Sequence, residues 1–132
     1  MALNAHLDIV MNWALATGTT LYSLVGTRVA KRRMPSSFKN TAKALCIHDE
    51  TTSTEFEPEI VWGTYVFKCY GGTDDADDAA EVFRAVHARF HNKAGDITSG
   101  GIVRSTFVTG TLTYEPDTGW PVYIAKFEIG TQ

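Results

Sequence analysis

The sequence predicts an α+β domain in which helices pack on one face of a four-stranded, mainly antiparallel sheet. Three observations predict it. Apolar residues recur at helical spacing near the N-terminus and again between Ala79 and Phe90. Four runs rich in branched and aromatic residues, at 44–50, 62–70, 102–115 and 120–129, read as strands. The last two flank the turn sequence PDTG at 116–119, which makes them one long antiparallel hairpin with Gly119 free to take a positive φ. A chain of 132 residues fits one domain, 1–132, with a core that needs neither disulfide nor structural metal.

Each element has its own justification. Leu3, Leu7, Val10 and Ala14 form one stripe of a first helix, with Ile9 and Trp13 beside it, and Gly18 ends it. TTLYSLVG then makes a short helical turn stopped by Gly26. Residues 27–43 contain Met34-Pro35-Ser36-Ser37 and no clear periodicity, so a long basic, mobile loop is expected there. In the final strand Tyr123, Ala125, Phe127 and Ile129 alternate with Val122, Ile124, Lys126 and Glu128, giving one drier face. Gly110, inside the preceding strand, marks an expected bulge or bend.

Net charge is −3, but its distribution says more than its sum. Arg28, Lys31, Arg32, Arg33, Lys39 and Lys43 are half of the twelve basic residues, with no acid between 26 and 43. Asp49, Glu50, Glu55, Glu57 and Glu59 follow without a base among them. Adjacent blocks of opposite sign are either solvated loops or binding surfaces, to self or to another partner. The N-terminus lacks the basic start and unbroken apolar core of a secretory signal, and no stretch approaches the ~18 apolar residues that span a bilayer. Synthesis in the cytosol and no membrane association are expected. Cys46 and Cys69, among apolar neighbours, are then expected to be buried free thiols.

The densest run of chemically capable residues is GGTDDADDAAEVFRAVHARFH, 71–91. Helix physics accounts for it. Gly71-Gly72 stops a strand, and Thr73 or Asp74 can cap the helix. Asp75, Asp77 and Asp78 suit the positive end of the helix dipole, while Arg84, His87, Arg89, His91 and Lys93 lie toward the negative end. Ala79, Val82, Phe83, Val86 and Phe90 form the buried face. A metal site on His87 and His91 would need a third ligand that the sequence does not indicate, and HARFH lacks the glutamate of a hydrolase helix. Cys46 and His48 share a strand face, but Asp49 and Glu50 follow at once, the wrong setting for a thiolate. Phosphate-binding and nucleophile-elbow motifs are missing. No catalytic residue, metal or cofactor is expected.

In order, LYSLVGTRV, a basic stretch with a proline, a strand, YVFKCYGGTDDADDAAEVFRAVHARF and a closing hairpin resemble the tail-terminator (tail-completion) proteins of long-tailed bacteriophages. The similarity runs from Leu21 to Phe90 and more loosely over the hairpin. It departs at Ser36 to Lys43, long and basic for that loop, and in the N-terminal helix. The resemblance implies a virion structural protein that assembles as a ring of itself, six copies being expected, at the head-proximal end of the tail tube. Its partners would be the tail tube protein and the head–tail connector proteins, with passing contact to DNA in the lumen. Assembly would take place in the host cytoplasm, and a monomer in dilute solution would fit. Arg28, Lys31, Arg32, Arg33, Lys39, Lys43, Glu55, Glu57 and Glu59 become candidate subunit- or partner-contact residues. A neck or head–tail joining protein is the nearest alternative. A nucleic-acid-binding module using 28–43 is another, and would bind with steep salt dependence.

Overall fold

The computed structural model describes residues 5–56, 59–97 and 100–132. The chain runs α1 (Ala5–Ala14), α2 (Thr20–Val25), β1 (Val29–Lys31), β2 (Ala44–Phe56), β3 (Glu59–Tyr70), α3 (Ala76–Phe90), β4 (Lys93–Ile97), β5 (Gly100–Tyr114) and β6 (Pro121–Thr131). All six strands form one curled sheet in the order β1-β2-β3-β6-β5-β4. The expected four-stranded, mainly antiparallel sheet is therefore corrected. The sheet has six strands and is mixed, because β1 pairs with β2 in parallel. Both additional strands are short and lie at the edges. β1 arises inside the segment expected to be a basic loop, and β4 is exposed except at Ile97.

The helices share one face of the sheet. Leu7, Ile9, Val10 and Ala14 of α1, Leu21 and Val25 of α2, and Val82, Val86 and Phe90 of α3 are each no more than 1% exposed. They meet Leu45, Ile47, Tyr65, Phe67, Ala125, Phe127 and Ile129, the inward positions of three neighbouring strands. Phe67 sits edge-on to both Phe90 and Phe127, at 4.8 and 5.3 Å, so helix and sheet interlock through aromatic rings. Burying each of these large side chains stabilises the fold by roughly 1.5–3 kcal/mol before entropy is counted.

Local chemistry sets the ends of the elements. Thr19 caps α2 by accepting a bond from Tyr22 N–H, and Gly26 closes it. The cap of α3 is Asp75, whose Oδ1 accepts from Asp77 N–H at 2.9 Å, rather than Thr73 or Asp74. Gly71 is required by contact: a Cβ there would run into the backbone of Asp78 and Ala79 in the first turn of α3. Gly110 is not a bulge. The irregularities of β5 fall at 102–104 and 107–109, and Gly110 leaves room for the ring of Phe83, 3.0 Å from where a Cβ would stand. The turn between β5 and β6 takes Gly119 at φ 72°, as its sequence requires.

The opposite face is covered at one end by residues 32–43. Phe38 packs edge-on against Tyr70 and Trp120, at 5.1 and 5.6 Å. With Met34 and Ala30 it shields Ala44, Cys46, Tyr70 and Val122. Asn40 pins the segment to the turn before α3, accepting from Gly72 N–H and donating to the Thr73 carbonyl. The segment thus acts as a second layer over the sheet, in place of a free loop. Cys46 and Cys69 are both buried and free. Burial pushes both thiols up, at Cys46 against the opposing pull of Lys68.

Candidate functional site

Most of the basic block is engaged within its own chain. Arg28 folds back, donating Nε to the Lys43 carbonyl at 2.8 Å and Nη2 to the Leu24 carbonyl at 3.1 Å, which ties the end of α2 to the start of β2. Lys31 pairs with Asp8 at 2.8 Å, and Lys43 lies 4.0 Å from Glu81. Arg32, held at φ 70°, reaches Asp49 at 3.4 Å, so the two opposite-charge blocks meet inside one molecule. His6 Nε2 stands 3.3 Å from the same carboxylate. Burial works to raise the Asp49 pKa, but bonds from its own backbone amide, His6 and Arg32 outweigh it and hold the group below the ordinary carboxylate range. The side chains of Arg33 and Lys39 make no ion pair with a described residue, and both are exposed.

The acidic block divides differently. Glu50 pairs with Lys126 across the sheet at 3.3 Å. Glu59 begins β3, and Glu55 belongs to the backbone of β2. Glu57 lies outside the described residues. The structure does not gather the basic and acidic candidates into one cleft; it spreads them along the β1/β2 edge and the β2–β3 hairpin.

The histidines of α3 are structural in geometry. His87 and His91 stack at 4.7 Å, and His91 Nδ1 accepts from Phe107 N–H at 3.2 Å. Among the described residues, no three His, Cys, Asp or Glu side chains are placed to hold a metal, and no helix is long and apolar enough to cross a membrane.

The feature that sequence reasoning missed is the outline of the sheet. β1 covers β2 only at 45–47, and β4 covers β5 only as far as Ser105. Among the described residues, no strand pairs with the remaining outer lengths of β2 and β5. The exposed large hydrophobics among the described residues are Val103, Val108, Leu112 and Tyr114, and all four lie on β5. The run TFVTGTLTY at 106–114, without a charge or a proline, was the available signal. Beside β1, Val29, Ala30, Met34, Pro35 and Phe38 line a largely apolar groove of about 250 Å³.

No family model matches the sequence, and no curated protein matches it. The fold is similar to that of a chain in a structure described as the virion of a native gene transfer agent particle. The TM-score is 0.69 at 16% sequence identity, and the match covers 99% of this chain and 98% of that one. At that identity the likeness establishes a shared fold.

Proposed function

We propose that this chain is a structural subunit of a phage-like virion that assembles as a ring at the head-proximal end of the tail tube, ends tube growth and offers a surface for the head. The observation that carries this reading is the end-to-end fold match with a chain of a gene transfer agent virion. It is joined by the order of elements from Leu21 to Phe90, which resembles tail terminators. A single compact domain with a structural rather than catalytic role agrees with histidines spent on packing and thiols held in the core. On this reading Arg33 and Lys39 are the members of the basic block that would meet a tube, a connector or DNA; their exposure, and the bonds that the others make within the chain, support that choice.

The test is electron microscopy of particles produced without the protein. Overlong or unterminated tails support the reading. Tails of normal length that fail to join heads would assign the chain to the neck instead, and normal joined particles would remove it from assembly altogether.

A further inference from the structure

The two edges of this sheet are stepped, and the steps are complementary. The ladder row through Ala30 and Cys46 continues through Lys68 and Ile124 to Thr111. β1 therefore projects from one edge at the level where β5, on the other edge, is bare. The row through Thr54 and Val61 continues through Thr131 and Ile102 to Gly95. β4 therefore projects at the level where β2 is bare. We infer that copies of this chain join side by side in one orientation, β1 of one copy entering the recess beside β5 of the next and β4 entering the recess beside β2, so that one sheet runs across the boundary. This rests on the reading of the chain as a ring-forming subunit and specifies how its copies meet.

Strand directions permit both junctions. β5 runs opposite to β2 through two antiparallel steps and a third, while β1 runs with β2, so β1 would meet β5 antiparallel. β4 and β2 point the same way and would meet in parallel. Edges left open in a solitary protein are ordinarily guarded by charge, proline or a covering loop. Beyond Phe107, whose N–H is taken by His91 Nδ1, the run of β5 carries no charge or proline and no described strand pairs with its outer edge, and it carries Val108 at 56% and Tyr114 at 57% exposure. Its counterpart, β1, is flanked by the apolar groove of Val29, Met34 and Pro35. A contact of unlike edges is heterologous, and repetition of it closes a ring when the rotation allows. A two-fold pairing of β5 with β5 would instead leave both projecting strands unmatched.

Disulfide cross-linking tests the register. Ala30, Thr109, Thr111 and Thr113 all lie on the sheet face away from the helices, so, in a Cys46→Ala background that removes the native thiol opposite position 30, Ala30→Cys is combined in turn with Thr109→Cys, Thr111→Cys and Thr113→Cys. Oxidation of concentrated protein, alone and with tail tubes of the parent particle, is followed by denaturing electrophoresis and electron microscopy of the same samples. At least one pair should give a ladder of covalent oligomers, while each single variant stays monomeric. A dimer from Thr111→Cys alone would overturn the inference in favour of two-fold pairing. Rings seen by microscopy without a ladder from any pair would overturn the edge contact and leave the ring reading standing; neither rings nor ladder would sink both. A second variant is independent of cross-linking geometry. Val108→Lys with Leu112→Lys, at two exposed positions, should raise the concentration for half-assembly by roughly tenfold or more with the melting curve unchanged, as charge on an open edge does. Unchanged assembly with an unchanged melting curve would also overturn the contact.

Discussion

Trp13 and Arg89 hold each other in both directions: the indole Nε1 donates to the Arg89 carbonyl at 3.0 Å, and Arg89 Nε donates to the Trp13 carbonyl at 2.9 Å. The guanidinium also lies over the indole, 4.0 Å from the ring centroid. This clasp joins the C-terminal end of α1 to the C-terminal end of α3, and it satisfies carbonyls that the last turn of a helix leaves unpaired. Arg89→Ala should destabilise the protein by about 2 kcal/mol, combining a charge-assisted bond with the ring contact. Arg89→Lys should recover less than half, because an ammonium cannot both stack and donate in that fixed geometry. Urea unfolding of the two variants, with Trp13→Phe to complete a cycle, measures the coupling.

Two buried tyrosines on β3 should respond in opposite ways to loss of the hydroxyl. Tyr65 is fully buried and its hydroxyl has no hydrogen-bond partner among the described residues, whereas Tyr70 donates to Glu115 Oε1 at 2.6 Å. Tyr65→Phe should leave stability unchanged or raise it by up to ~1 kcal/mol, while Tyr70→Phe should cost about 1–2 kcal/mol. Thermal melts of the pair decide it. A larger loss at Tyr65 than at Tyr70 would mean that the hydroxyl of Tyr65 is satisfied in solution.

Stability should depend on pH in two separable windows. Asp49 has a folded pKa below its unfolded value, so its contribution is complete above the unfolded pKa, about 4, and is lost as pH falls through the folded value. His87 is also lowered, chiefly by burial and then by the charge of His91. For a histidine that direction means the unfolded chain takes up the proton first, so stability begins to fall as pH drops below about 6.5. Asp49→Asn should flatten the acid limb, and His87→Gln the limb above it. Denaturant midpoints measured from pH 3 to 8 resolve the two.

Gly71 should be the least replaceable glycine of the strand–helix turn. Its Cβ would strike the backbone of α3, which cannot swing aside as a side chain can. Gly71→Ala should cost about 2–3 kcal/mol, the upper range for overpacking. Gly119→Ala meets open space and carries only the cost of its φ of 72°, about 1 kcal/mol. Expression and melting temperature of the two variants give the comparison.

How much was legible in the sequence followed from periodicity. The buried face of α3, the dry alternation of β6 and the β5–β6 hairpin could be read because apolar spacing reports burial on one side. β1 and β4 could not. Three residues, Val29 to Lys31, are too few to show a period, and Lys93 to Ile97 bury almost nothing, so their strand character comes from pairing alone. The polar half of the β2–β3 hairpin escaped for the same reason: Thr51 to Thr54 are all exposed. Among the candidate contact residues, charge showed which were basic but not which were already spent. Arg32 meets Asp49 only because β2 turns the acidic block back toward β1. The open edge of β5 depends on strand order, which no local pattern encodes.

We propose that this chain ends a tail tube as a ring. Electron microscopy of the purified protein mixed with tail tubes of the parent particle tests it most directly. Rings should be seated at one end of each tube, with further tube growth halted there. Tubes that stay bare at both ends and continue to lengthen, with the protein beside them at saturating concentration, would contradict it.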